Sequence, residues 1–251
     1  MIVRLTGGLG NQLFMYAFGR SVAAIANEPL KFHWCRSTWD YALEPFHLPI
    51  ILGSPDGAEL TYEESGFFYD SKIASGIRVS SRPRPCERIY FRGYWQSEKY
   101  FNVDLIRKDF DWWVNSPLRV QFRNKAFIHV RRGDYLNRGT KEFHGSLPLE
   151  YYQAAVAYIK ERVPDITFEV FTDDPDMKEF MGYPVVSTGN QHLDLHTMTK
   201  YSHAILANST FSWFGAWLGE HSSQIVIAPK KWFQDETINT SDLVPDRWIR
   251  I

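Results

Sequence analysis

A chain of 251 residues, 44% of them hydrophobic, is long enough to bury a full core, and its length lies between one large domain and two small ones. Lysine and arginine total 28 against 29 for aspartate and glutamate, with no block of like charges, which argues against nucleic acid as a partner and against a general electrostatic pull toward membranes. The opening residues MIVRLTGGLG lack the features of a signal peptide, and no apolar stretch matches the thickness of a bilayer. A cytoplasmic protein without a transmembrane segment is expected, with peripheral membrane association left open. Cys35 and Cys86 fit no metal-ligand or redox spacing and read as reduced bystanders. Aromatic residues make up 16% of the chain, enough for sugar-stacking surfaces as well as for the core.

In chain order, the apolar run of residues 2–5 leads into TGGLGNQ (6–12) and then a segment where Phe14, Phe18, Val22 and Ile25 recur at near-helical spacing. This predicts a strand, a tight turn and a helix. The turn resembles a dinucleotide fingerprint, but Leu13 stands where its last glycine belongs, which disfavours an NAD site. Its glycines, Gly8 among them, allow close backbone approach, and the amides of Asn11 and Gln12 are expected to point into a cleft. A purely structural turn is the alternative. From 34 to 88, Pro45, Pro49, Pro55, Pro83 and Pro85 with scattered glycines predict loops, short helices and at most one strand.

Polar and basic residues between 115 and 125 then interrupt the pattern, placing a boundary between a first lobe over 1–120 and a second lobe over 121–251, the last residues packing back on the first. The second lobe offers five candidate strands: AFIHV (126–130), ITFEVF (166–171), PVVS (184–187), HAILA (203–207) and QIVIAP (224–229). The clearest helix, LEYYQAAVAYIKERV, is entered through Pro148 in its first turn and closes before Pro164. Such alternation predicts an α/β fold with a parallel sheet of about five strands flanked by helices. Two such lobes facing one another would form a central cleft at the carboxyl ends of their strands, where ligands of open α/β sheets bind.

The chemistry-bearing motifs fall at those strand ends. In HVRRGDY (129–135), Arg131 and Arg132 follow a strand and suit the charge developing on a departing diphosphate; a surface ion pair with Asp134 is the other reading. His129 shares a strand face with Arg131, though His129 and His203 also fit core positions. In ANSTFSWFGAWL (207–218), Asn208 and a cap from Ser209, Thr210 or Ser212 open a helix whose N-terminus suits an anion, or is simply capped. In FTDDPD (171–176), Asp173, Asp174 and Asp176 read as a turn or a nucleotide hydroxyl contact in preference to a metal site.

Taken together, GGLGNQ, RGYWQSEKYF, HVRRGDY, FTDDP and DLHTMTKYSHAILANSTFSWFGAWL resemble the bacterial α-1,2-fucosyltransferases of glycosyltransferase family 11, in the same order over nearly the whole chain. The resemblance implies a GT-B fold of two Rossmann-like lobes, a GDP-fucose donor and no cofactor or metal. It implies inverting transfer of L-fucose to the 2-hydroxyl of a galactose-terminated oligosaccharide acceptor, and a relation to α-1,6- and protein O-fucosyltransferases through the HxRR element. Carried over, Arg131 and Arg132 hold the diphosphate, His129 sits beside the donor, and Asp194 recognises guanine. Ser209, Thr210, Phe211 and Ser212 line the phosphate and fucose pocket, and Asn11 closes it from the other lobe. Phe214 replaces a usual tryptophan and Thr172 a usual serine, departures that bear on acceptor choice more than on donor chemistry.

Attack opposite the diphosphate would turn a β-linked donor into an α-linked product. Asp134, beside two guanidinium groups, is a weak base and an arginine orienter, which leaves His144 as second candidate. The alternatives are another nucleotide-sugar glycosyltransferase, a glycosidase with paired carboxylates, and a non-catalytic carbohydrate-binding protein.

Overall fold

The computed structural model describes residues 1–34, 39–72, 89–115, 122–132 and 143–251. They form two compact units, Met1–Trp112 with Asn239–Pro245 and Trp113–Ile238 with Asp246–Ile251. The division therefore falls a few residues ahead of 120, and the C-terminal segment visits the first unit before returning to the second.

In the first unit, β1 (Ile2–Leu5) leads to helix α1 (Leu9–Ala26), then to β2 (Lys31–Trp34), β3 (Leu60–Glu63) and β4 (Ile89–Arg92). Helix α2 (Val103–Val114) carries the chain to the boundary. The sheet order is β2-β1-β4-β3 and every pair is parallel. Helix α1 packs Phe14, Phe18 and Val22 inward, whereas Ile25 is exposed, so the predicted stripe ends one turn early. Gly19 lets the helix lie on the sheet, since a Cβ there would sit 2.9 Å from Val3 Cγ2. The helix ends at Asn27, whose left-handed backbone (φ 52) returns its N–H to Ala23 O.

Among its described residues the stretch from 34 to 88 holds one strand, β3, while β2 ends at its first residue and carries no signal of its own. An outer strand packed on few neighbours has no need of an apolar run, and three of the four residues of β3 are exposed, which removes the signal.

The second unit runs β5 (Phe122–Val130), α3 (Leu149–Arg162), β6 (Thr167–Thr172), the hairpin β7 (Glu179–Phe180) and β8 (Tyr183–Pro184), and α4 (Gln191–Met198). It continues with β9 (Tyr201–Ile205), α5 (Thr210–Leu218), β10 (Val226–Ala228) and β11 (Ile249–Arg250). Its parallel sheet has five strands in the order β11-β10-β9-β5-β6. The membership differs from expectation at one strand. PVVS gives only a single bridge, Val185 to Val170, while Tyr183–Pro184 pairs antiparallel with Glu179–Phe180. Proline cannot donate to a ladder, and the fifth place goes to β11 near the chain end.

The core of this unit joins Ala126, Ile128 and Val130 of β5 to Tyr152, Ala155 and Ile159 of α3 and Val170 of β6. Tyr151 Oη donates to Leu206 O at 2.7 Å, tying α3 to the end of β9. Pro148 is the N-cap of α3, in extended backbone, one position before the first turn where it was expected. No helix among the described residues is long and apolar enough to cross a membrane.

Candidate functional site

The register between β5 and β6 builds the site. Val130 stands beside Thr172, so the next residues, Arg131 and Asp173, emerge side by side at the strand tips. Asp173 Oδ2 lies 2.9 Å from Arg131 Nε, and Asp173 Oδ1 accepts from the Arg132 backbone N–H at 2.8 Å. One carboxylate thus holds a guanidinium and the turn that follows it, in a charge-assisted geometry. Asp134 lies outside the described residues.

His129 precedes Arg131 on the same strand face and is buried. Burial, then the Arg131 charge, push its pKa far below the usual histidine value, with Asp173 opposing weakly, so the imidazole is neutral. Its Nδ1 has no hydrogen-bond partner among the described residues. Its ring lies 5.7 Å from that of Phe211.

These side chains wall a cavity of about 550 Å³, together with Asp174, Thr188 and Asp194. Arg132 does not line it. Its side chain borders a neighbouring cavity of about 340 Å³ with Ser146, Tyr152 and Glu179. Arg131 borders both cavities, so the two arginines share the wall of the smaller one.

The loop after β6 divides the three aspartates. Asp173 serves the arginines, Asp174 Oδ1 accepts from Asp176 N at 3.0 Å in a turn, and Asp176 is exposed. Among the described residues, no group of three His, Cys, Asp or Glu side chains is disposed to hold a metal ion. Helix α4 is capped by Asn190, whose Oδ1 accepts from the N–H groups of His192 and Leu193 at 3.0 and 3.1 Å. One turn in, Asp194 is buried, and its Oδ1 accepts from Thr188 N at 2.8 Å and Thr188 Oγ1 at 2.7 Å.

Of the three candidate caps for α5, Ser209 takes the place, its Oγ accepting from Phe211 N at 3.3 Å. Ser212 is fully buried and donates to Ser209 O at 3.2 Å. Thr210 opens the first turn and Phe211 reaches the cavity wall. Asn208 has a structural task, its Nδ2 lying 3.0 Å from the carbonyl oxygens of His144 and Trp232 and 3.3 Å from that of Gly145. His144 packs its ring against Phe143 and Phe233, with centroids 4.8 and 5.4 Å away, and does not line the larger cavity.

Gly8 and Asn11 belong to the first unit. Gly8 is the N-cap of α1, and Asn11 Oδ1 accepts from Gln96 Nε2 at 2.9 Å. Gln12 corrects an expectation, because its amide is turned into the fold. Nε2 donates to Gly7 O and Asp40 O at 2.8 and 2.9 Å, and Oε1 accepts from Ala42 N at 2.9 Å. Sequence reasoning missed Glu64 altogether. Its carboxyl follows β3, and burial pushes its pKa up to about 7 against two backbone N–H bonds that pull it down. A strand that leaves no apolar signature gave no frame in which to place it.

A family model described as Glycosyl transferase family 11 matches residues 67–251. An α-1,2-colitosyltransferase of Escherichia coli is 29% identical, with the alignment covering 100% of this chain and 98% of that protein. The O-antigen biosynthesis glycosyltransferase WbnK, also of Escherichia coli, is 35% identical over 159 residues, which is 60% of this chain and 52% of its own length. Among solved structures, the fucosyltransferase NodZ from Bradyrhizobium matches at a TM-score of 0.47 and 13% identity, covering 85% of this chain and 91% of that one.

Proposed function

Since the chain belongs to glycosyl transferase family 11, we propose that it moves L-fucose from GDP-fucose to the 2-hydroxyl of a galactose-terminated glycan, inverting the anomeric centre without a divalent metal. Family membership makes it a glycosyltransferase that draws on a nucleotide sugar. In the proposed reading the two parallel-sheet units are the lobes of a GT-B enzyme, the first receiving the acceptor and the second the donor.

The observation that carries the donor assignment is the Arg131 guanidinium, fixed by Asp173 at 2.9 Å in the wall of a cavity large enough for a nucleotide. A guanidinium held before the reaction stabilises charge on the leaving diphosphate without reorganising during it. The neutral His129 offers a hydrogen bond to the donor while adding no charge. Asp194, anchored by Thr188, supplies the acceptor oxygen that the N–H edge of guanine needs. The first turn of α5, capped by Ser209, gives the phosphates a positive dipole end. Arg132, beside Arg131 in the wall of the smaller cavity, offers a second guanidinium to the diphosphate.

The colitosyltransferase, aligned over the full chain, supports the α-1,2 linkage and also favours a second reading of the donor. Colitose lacks the 3-hydroxyl of fucose, and the two sugars otherwise present the same face to a protein. The test offers GDP-fucose and GDP-colitose to the protein with galactose-terminated acceptors, with and without chelator, and identifies products by mass spectrometry. Fucosylated product formed in chelator supports the first reading. Transfer of colitose alone moves the assignment to the second, and dependence on added metal ends the metal-free part.

A further inference from the structure

The carboxyl edge of the first unit's sheet gathers polar side chains whose hydrogen bonding is incomplete. β3 ends at Glu63 and its neighbour β4 at Arg92, so Glu64 and the residues following Arg92 leave the sheet at the same edge. Glu64 Oε2 accepts from the backbone N–H groups of Tyr94 at 2.6 Å and Trp95 at 2.9 Å. Glu64 Oε1 is buried without a partner among the described residues, and so are Trp95 Nε1 and Gln96 Oε1. The Trp95 and Gln96 side chains are themselves only 0% and 6% exposed. Asn11 holds Gln96 by its amide nitrogen, which fixes where the carbonyl oxygen points.

The backbone at this edge is strained into place. Trp95 has φ 56, and a Cβ on Gly93 would sit 2.5 Å from Glu64 Cβ and 2.9 Å from Trp95 Cε2. The carboxylate and the indole therefore pack on a glycine that nothing larger can replace. Buried polar atoms left unpaired are destabilising, and such groups together with strained backbone collect at functional sites. The carboxyl edge of a parallel sheet is also where α/β folds take ligands. Beside the cluster, Tyr94 is exposed and stacks on Phe67 with centroids 6.1 Å apart, an apolar face of the kind a pyranose ring covers.

Two oxygen acceptors and one N–H donor match a sugar hydroxyl and its neighbour. We propose that Glu64 is the proton acceptor for the acceptor sugar, with Trp95 and Gln96 completing a hydroxyl-binding site in the first unit. This rests on the glycosyl-transfer reading. The hydroxyl oxygen bonds to the anomeric carbon as the bond from that carbon to the diphosphate breaks. The electron pair leaves with the diphosphate, and the hydroxyl proton passes to Glu64 Oε1.

Burial raises the Glu64 carboxyl to about 7, a value suited to a base working near neutral pH. Of the titratable groups around it, Tyr100 is held as a phenol by burial and by the charges of Glu64, Asp70 and Tyr69. Glu63 and Arg92 face one another at 3.7 Å on the exposed side of the two strands.

Glu64→Gln keeps a carbonyl oxygen for the Tyr94 and Trp95 N–H groups while removing the basic oxygen. The variant is expected to lose ~100-fold or more in kcat, with acceptor KM changed only a few-fold and GDP affinity by calorimetry unchanged. The acid limb of the parent kcat profile, near pH 7, should vanish with it. Independently, the Trp95 indole N–H resonance, assigned through Trp95→Phe, should shift when lactose is added to the parent. An E64Q enzyme that keeps both its rate and its acid limb overturns the proposal, as does an indole unmoved by saturating lactose. If E64Q fails to fold, the parent's acid limb and indole shift decide it. A parent that moves no sugar yet shows the indole shift would end the glycosyl-transfer reading and keep the sugar site. Intact transfer with a silent indole would do the reverse.

Discussion

Arg131 and Asp173 meet at 2.9 Å because β5 and β6 end in register, Val130 beside Thr172, so that each strand delivers its next residue to the same point. A guanidinium on a long flexible stem would otherwise lose side-chain entropy on binding an anion, and here much of that ordering is already done.

Arg131→Ala should therefore lower kcat by ~10²–10³-fold, the scale for removing one preorganised donor from a developing anion. Asp173→Asn keeps an oxygen for the Arg132 N–H and loses only the charge, so a smaller loss is expected, with weaker GDP binding. Steady-state kinetics and calorimetry on both variants measure this. Equal activity of D173N and the parent would show that Arg131 needs no partner.

His129 predicts acid sensitivity. Its folded pKa is depressed, so below about pH 6.5, the unperturbed value, the unfolded chain binds the proton that the folded chain refuses. Its contribution is fully present above that pH and is lost as pH falls. Urea unfolding between pH 7 and pH 5 should show the parent losing stability relative to His129→Phe as pH falls.

Glu64 works in the opposite direction over a neighbouring window. Its folded pKa of about 7 lies above the ordinary carboxyl value of 4.5, so between those values the folded chain holds a proton that the unfolded chain has released. Relative to E64Q, the parent should lose stability as pH rises through that interval, by on the order of 2 kcal/mol. Denaturant midpoints for the parent and E64Q give the measurement, and equal slopes in the two would remove Glu64 as the cause.

Gln12→Leu should unfold the first unit more easily without touching the donor. The change strands Gly7 O, Asp40 O and Ala42 N at a buried position, a loss of about 2–4 kcal/mol. GDP affinity of the folded fraction should be unaltered, since the candidate donor cavity is lined wholly by residues of the second unit. A selective fall in GDP affinity would give Gln12 a ligand role.

The parts legible in the sequence are those where burial alone sets the pattern. β9, β10 and the buried second half of β5 are parallel and read as apolar runs, and α3 carries its boundaries in Pro148 and Pro164. What escaped depends on pairing between distant segments. β3 is an exposed outer strand and β11 is two residues long, too little for any periodicity. The site follows the same division. His129, Arg131 and Phe211 were visible as motifs and line one cavity, but a motif does not reveal register. Nothing local distinguishes Asp173 from Asp174 as the residue that holds Arg131. The Gln12 amide shows the same limit, because the glycine turn beside it is compatible with an amide facing either way.

The chain's late residues complete both units. Asp242 accepts from Tyr69 N at 3.2 Å and pairs with Lys99, fastening 239–245 to the first unit, while β11 closes the edge of the second unit's sheet beside β10. During synthesis, then, neither unit can reach its final set of contacts until residues 239–251 have left the ribosome. Folding of the two is coupled in time, and a nascent chain halted before residue 239 carries an unpaired β10 edge, a surface that invites association with another chain.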